Sequence, residues 1–297
     1  LWSPWPVPMT LTDGKLTTTF DVDWETRTPQ RTHVITGGRA DISLENLTGR
    51  YQDFSFRGVN ADLHVVEKAP GMIALSQPAA IRIASLNRGV EVAHLELTAQ
   101  GDWKLNDPFP LVEIRNFRCE LLGGVVTSDG ARADLAHPPY SATFLARGLD
   151  LKEILNLEQQ KGLQGTGLLD GTIPVTVTQR GATIQDGVFE ARPPGGVVQY
   201  QPSADTVSAV ISANPNMQLV LQALGNFHYN VLQVGAQYAE DGTLNLKARL
   251  EGRNPDLKKT PPVHFNLTIQ ENIPALLRSL RLIQDIEESI QNRFVGR

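Results

Sequence analysis

Six histidines, His33, His64, His94, His137, His228 and His264, are the side chains of this 297-residue chain best suited to proton transfer or metal binding near neutral pH. Their spacing supports neither role. No His-Glu-x-x-His or comparable pattern sets two imidazoles on one helix face, so they read as surface or strand histidines. Cys119 is the only cysteine, which removes an internal disulfide and a Cys-rich metal site. Five Asp-Gly pairs, Asp13-Gly14, Asp129-Gly130, Asp170-Gly171, Asp186-Gly187 and Asp241-Gly242, lack the further acidic residues of a calcium loop and are expected to be turns. There is no Gly-x-Ser-x-Gly elbow and no phosphate loop. Asn46-Leu47-Thr48 and Asn266-Leu267-Thr268 match glycosylation tripeptides, which arise easily by chance. The expectation is a chain that is not an enzyme and that uses no cofactor and no metal.

Composition narrows the partners. Lys and Arg number 27 against 32 Asp and Glu, a net charge of −5, which argues against a nucleic-acid groove or a polybasic membrane patch. Hydrophobic residues make up 41% and charged residues 20%, the balance of a folded chain that tolerates water rather than a disordered one. Aromatics are 6%, and Trp2, Trp5, Trp24 and Trp103 are scattered, which speaks against the stacked platforms of a glycan-processing enzyme. No run approaches the roughly 20 apolar residues of a membrane-spanning helix, and the chain opens on Leu1 rather than Met. It is expected to be an excised or processed segment, with any membrane anchor lying outside it.

The elements that must position any site are strands. After a proline-rich opening, Leu1–Pro8, period-two alternation runs through Ala40–Leu47, Tyr51–Phe56, Ala61–Val66, Ala93–Ala99 and Ile114–Leu121, with turns expected at Thr12–Lys15 and Ser128–Ala131. Further on, Ile173, Val175 and Val177 alternate around Pro174, whose missing N–H suits an edge or a bulge. Leu244, Leu246, Ala248 and Leu250 form another apolar row after the Asp241-Gly242 hairpin signal, and Val263, Phe265, Leu267 and Ile269 a third. Three helices are expected. Asp150 caps Leu151–Gln160, Asn214-Pro215 opens a helix to Leu224, and Asn272 opens an amphipathic Ile273–Phe294. Three helices cannot cover so much sheet, which leaves a packed sandwich and an open trough as the two architectures.

Several segments carry a resemblance. Gly167-Leu168-Leu169-Asp170-Gly171-Thr172-Ile173-Pro174-Val175, Gly181–Ala191, Pro194-Gly195-Gly196 and Glu271-Asn272-Ile273-Pro274-Ala275-Leu276-Leu277-Arg278-Ser279-Leu280 resemble the C-terminal region of YdbH-type proteins of the AsmA-like group. The likeness is specific from about Leu149 to Phe294. It implies a mainly β fold: a long curved antiparallel sheet forming an elongated groove, or trough, with a few capping helices including the amphipathic C-terminal one. Residues 1–148 would be one groove segment and 149–297 a second, with helices near 151–160, 215–224 and 273–294. The resemblance further implies a periplasmic segment of an inner-membrane-anchored protein that carries phospholipid between the membranes of a Gram-negative envelope. A small outer-membrane lipoprotein similar to YnbE is the implied partner, adding a strand at the C-terminal end. An older label of dicarboxylate transport finds no Arg or Lys clamp here.

A lipid tail with about 14 methylenes costs on the order of 11 kcal/mol in water at ~0.8 each, so a carrier needs a dry track. Ile173, Val175, Val177, Phe189, Val207, Ile211, Leu244, Leu246 and Leu250 are the residues expected to line it. The strand of Val263, Phe265, Leu267 and Ile269 is expected to accept the partner at its edge. The terminal helix offsets Arg278 and Arg281 with Asp285, Glu287 and Glu288, which favours a plug across the groove end over a lipid-surface role. Two other functions remain open: a structural β-scaffold that binds envelope proteins without carrying lipid, and, more remotely, a glycan enzyme.

Overall fold

Alternation of apolar and polar side chains suits a pleated ribbon with one oily face, and most of the chain forms such ribbons. The computed structural model describes residues 9–27, 32–104, 106–107, 109–135, 137–157, 161–257 and 262–282. The strands are β1 (Met9–Arg27), β2 (Thr32–Tyr51), β3 (Phe54–Ala69), β4 (Met72–Leu75), β5 (Ala79–Asn87), β6 (Glu91–Lys104), β7 (Leu111–Leu121) and β8 (Gly124–Asp134). They continue as β9 (Tyr140–Asp150), β10 (Leu163–Thr166), β11 (Leu168–Val177), β12 (Ala182–Ala191), β13 (Gly196–Tyr200), β14 (Phe227–Tyr238), β15 (Thr243–Arg253) and β16 (Val263–Asn272). Helices are α1 (Leu151–Leu157), α2 (Ala204–Ala213), α3 (Met217–Leu224) and α4, described over 273–282.

All sixteen strands join one antiparallel sheet, so the fold is mainly β as the alternation demands. Its order is β1-β2-β3-β4-β6-β7-β8-β9-β11-β12-β14-β13-β10; β5 lies between β3 and β6, and β15 then β16 continue from the other side of β14. Among the described residues the sheet is not closed, because β1 pairs only β2 and β16 pairs only β15. No second sheet is stacked on it among the described residues. The chain divides into two compact units: one takes Leu1–Glu120, Thr127–Thr143 and Thr176–Gln179, the other Leu121–Val126, Phe144–Val175 and Arg180–Arg297. Every described helix belongs to the second.

Several turn signals turn out to be bulges. Gly14 (φ 102°) and Gly130 (φ 132°) sit inside β1 and β8, so neither Thr12–Lys15 nor Ser128–Ala131 is a turn. The register of β1 on β2 slips on either side of Asp13, and β2 slips against β3 around Leu47. Asn46, Gly58, His94 and Asn116 also have positive φ within their strands. A left-handed residue in a strand inserts an extra position and bends it, and the same Gly, Asp and Asn signals mark hairpin turns. These bulges adjoin one another. A Cβ on Gly14 would lie 2.7 Å from the Asn46 carbonyl oxygen, and the Asn46 N–H donates to Asn60 Oδ1 at 3.0 Å. Asp170-Gly171 lies within β11 and Asp186-Gly187 at a register slip within β12; of the five Asp-Gly pairs only Asp241-Gly242 makes a hairpin turn.

Other expectations are corrected in the same way. Tyr51–Phe56 is not a strand but a hairpin tip, with Gln52 and Asp53 as its turn. Pro174 lies in an interior strand, β11, which has β9 and β12 as neighbours, and one ladder hydrogen bond is forgone there. Asn214 closes α2 instead of opening a helix, its N–H donating to the Val210 carbonyl, and α3 starts only at Met217. The unexpected α2 is capped by Ser203, whose Oγ accepts the Thr206 N–H. At α4 the expected cap is present, Asn272 Oδ1 accepting from the Ala275 N–H at 2.9 Å. Leu1–Pro8, 158–160 and 283–294 fall outside the described residues.

Two polar nodes hold the second unit together. Tyr229, buried, donates its hydroxyl to the Thr166 carbonyl at 2.8 Å, and burial pushes its pKa up to about 12. Asp170 on β11 accepts from Arg192 Nε at 2.9 and 2.8 Å and from the Gly148 N–H at 2.8 Å, tying the ends of β9 and β12 to it. The Arg192 hydrogen bond holds the Asp170 carboxyl below its ordinary value of 3.8, with burial opposing.

A depressed carboxylate contributes stability that is present above the unfolded value and lost as pH falls through the folded one. The stability gap between wild type and Asp170→Asn is therefore expected to close on acidification below about pH 4, read by urea midpoints at several pH values. Gly130→Ala, whose Cβ would meet the Ile114 carbonyl oxygen at 2.1 Å, should cost about 1–3 kcal/mol. Gly71→Ala, with open space around it, should cost less in the same titration.

Candidate functional site

In the first unit the register stacks apolar residues in rows across the strands. Leu16 pairs Leu44, Leu44 pairs Ala61, Ala61 pairs Ile81 and Ile81 pairs Leu97, a row five strands wide. Beside it run Thr18–Ile42–Leu63 and Phe20–Ala40–Val65–Leu75. Paired residues share a face, so one side of the sheet is apolar over this whole area. The other side is charged. Asp21 with Arg39, Asp41 with His64 (2.5 Å), Ser43 with Asp62 (2.7 Å) and Arg82 with Glu96 (3.8 Å) are register partners bridging strands on it. Among the described residues the buried apolar side chains of this unit are Ala61, Ala74, Ala79, Ala99, Ala133, Leu95 and Cys119. Ile42, Leu44, Leu63, Val65, Ile81, Ile83 and Leu97 stay half-buried, and Leu16 and Phe20 are exposed. No described helix covers them.

The second unit has the same face with a partial lid. Phe189 pairs Val234, Val234 pairs Ala248 and Ala248 pairs Leu267; alongside, Ala236–Leu246–Ile269 and Leu232–Leu250–Phe265 align. At one end the ring of Phe227, fully buried, meets Phe265 edge-on at 5.0 Å, while α3 packs on β13 and Asn254 Nδ2 donates to the α3 carbonyl of Gln222. At the other end α4 begins beside the β14–β15 turn, the Ile273 N–H donating to the Gly242 carbonyl at 3.0 Å. Between these ends Val234, Leu244 and Leu246 remain half-buried. Clefts at the two ends of β14 and β15 include polar groups in their linings, among them Asp186, Gln237 and Asn245 at one and His228, Glu251 and His264 at the other.

The residues expected to line a track fall in three places. Phe189, Leu244, Leu246 and Leu250 are brought onto this one face, Leu250 fully buried and the rest half-buried. Ile173 and Val175 alternate with Gly171, where a Cβ would strike the Phe189 ring at 2.3 Å, so they share its face; Val177 continues the row into the first unit. Val207 and Ile211 lie on a half-buried stripe of α2, not on a strand. Val263, Phe265, Leu267 and Ile269 continue the same apolar face on β16, with Leu267 and Ile269 about two-fifths exposed. The residues expected at the edge thus share a face with those expected to line the track. The uncovered rows of the first unit were missing from the expected set, although the alternation of Ala40–Leu47, Ala61–Val66 and Ala93–Ala99 was the signal that marks them. Among the described residues no three His, Cys, Asp or Glu converge as metal ligands, and no described helix is long and apolar enough to cross a membrane.

No curated protein and no solved structure matches the chain. Residues 3–294 match the family described as YdbH-like, intermembrane phospholipid transport protein YdbH. An open sheet with one apolar and one ionic face is the surface that such a cargo requires, and the match spans nearly the whole chain: this protein belongs to the YdbH-like family of intermembrane phospholipid transport proteins.

Proposed function

We propose that the apolar face shields phospholipid acyl chains in transit between inner and outer membranes, the headgroups staying in water. The observation that carries this reading is the composition of the first unit's interior. Five of its seven described buried apolar residues are alanine, while seven Ile, Leu and Val side chains on one face are left half-buried under no described helix. Burying such a side chain completely is worth about 1.5–3 kcal/mol, and a half-buried one forgoes a part of that which a hydrocarbon chain laid along the rows recovers. The charged opposite face keeps that side of the sheet in water.

On this reading the segment works in the periplasm, within a protein whose inner-membrane anchor lies outside it. The free edge of β16 accepts a strand from a small outer-membrane lipoprotein resembling YnbE. Support for the edge comes from its pairing, β15 on one side and nothing on the other among the described residues, and from the regular apolar–polar alternation of Val263–Gln270. The family's cargo and the open face leave no catalytic step to assign.

Purified protein is expected to carry phospholipid, seen by native mass spectrometry. Leu63→Asp with Ile81→Asp, placing charges on the track, should remove most of it while the far-ultraviolet spectrum stays β-type. Lipid-free wild-type protein would instead support a scaffold that binds envelope proteins. Leu267→Pro should abolish capture of the lipoprotein while the far-ultraviolet spectrum stays β-type; unchanged capture would remove β16 from the docking edge.

A further inference from the structure

The apolar row of β5 ends in charge. Ala79, Ile81, Ile83 and Ser85 alternate on one face of that strand, and Ser85, only 6% exposed, closes the row. Its Oγ donates to Glu91 Oε1 at 2.5 Å, and Arg57 Nη2 donates to the same oxygen at 3.0 Å while lying 3.4 Å from the Ser85 hydroxyl. Arg57 pairs Ser85 in register, and Asn87, two residues further along that face, pairs Glu91. A second ion pair adjoins it at the hairpin ends: Arg88 Nη2 is 3.6 Å from Asp53, its guanidinium 4.9 Å above the Phe54 ring. Ser55 joins the two, pairing Asn87 on β5.

The ion pairs Arg39–Asp21, His64–Asp41 and Arg82–Glu96 lie on the polar face, where water surrounds them. Arg57–Glu91 sits where the oily face runs out. Exposed pairs add about 0–1 kcal/mol to stability, so the fold has little need of one there. A lipid whose tails lie over Ile83, Ile81 and Leu97 would bring its polar end to this point. The two pairs sum to zero charge with both signs available, which suits a headgroup that is itself a zwitterion; an anionic headgroup would set its phosphate against Glu91 and Asp53 without an ammonium to answer them.

We propose that Arg57 and Glu91 form a subsite for a phosphoethanolamine headgroup, the guanidinium taking the phosphate and the carboxylate the ammonium. The assignment rests on the acyl-chain reading above. It makes phosphatidylethanolamine the preferred cargo over phosphatidylglycerol.

The test exposes the full chain to vesicles of equal phosphatidylethanolamine and phosphatidylglycerol, then weighs the retained lipids by native mass spectrometry. Wild type should hold phosphatidylethanolamine in about five-fold excess, the ratio that one exposed ion pair of about 1 kcal/mol commands. Glu91→Gln, which removes the ammonium's partner, should bring the ratio back toward that of the vesicles with total lipid per protein unchanged; Arg57→Gln, which removes a phosphate contact common to both lipids, should keep the excess, and Arg82→Gln on the polar face should leave it alone. A wild-type ratio equal to the vesicles', a preference that survives Glu91→Gln, or an equal loss in Arg82→Gln overturns the subsite while the lipid track stands. Wild type that retains no lipid overturns both. Lipid-stripped protein should not retain glycerophosphoethanolamine through desalting; retention would reassign the site to a soluble phosphodiester. The wild-type ratio decides the matter even if a variant misfolds.

Discussion

A sheet face lined with Ile, Leu and Val must be covered, since each square ångström of it left in water costs roughly 25 cal/mol. That requirement governs this molecule because sixteen strands share one sheet and the described helices are few and short. In the second unit the protein answers part of the demand itself: α3 packs on β13 and Phe227 is sealed against Phe265. In the first unit no described helix does so. The same strand grammar thus yields one surface with a partial lid and another left bare among the described residues.

How the sheet manages its own hazards follows from that exposure. The polar face is held by bridges between register partners, such as Arg39–Asp21 and His64–Asp41, each worth little in water but together keeping that side wet. Positive-φ residues inside β1, β2, β3, β6, β7 and β8 put bends into strands that would otherwise run flat. Edges are treated unequally. β10, with four residues, is blunted by its shortness, whereas β1 and β16 are long and carry apolar side chains along one face.

Much of this was legible in the residues. Rows such as Leu244–Leu250 and Val263–Ile269 alternate so regularly that both strands and the shared face can be read directly, and Asp241-Gly242 marks its hairpin. Asp13-Gly14 and Asp129-Gly130 misled because a bulge and a turn ask for the same backbone freedom, and only the partner strand distinguishes them. Helix α2 escaped because Ala204–Ala213 has no buried side chain and its Val207, Val210, Ile211 stripe is short; Val207 and Ile211, expected to line the track, belong to that stripe. The bare face of the first unit was hidden for a different reason. Periodicity reveals which side of a strand is apolar, but whether anything lies on top of it is a tertiary fact.

Pairing between sequence neighbours has a kinetic side. β1 with β2, β2 with β3 and β14 with β15 close loops of a few residues, which takes little chain entropy, so these ribbons can zip up as soon as both strands emerge. β10 is different. It must find β13 across the intervening β11 and β12, β13 must find β14 beyond two helices, and β12 must reach β14 over a longer stretch still, so these pairings follow the hairpins however early their residues are synthesised.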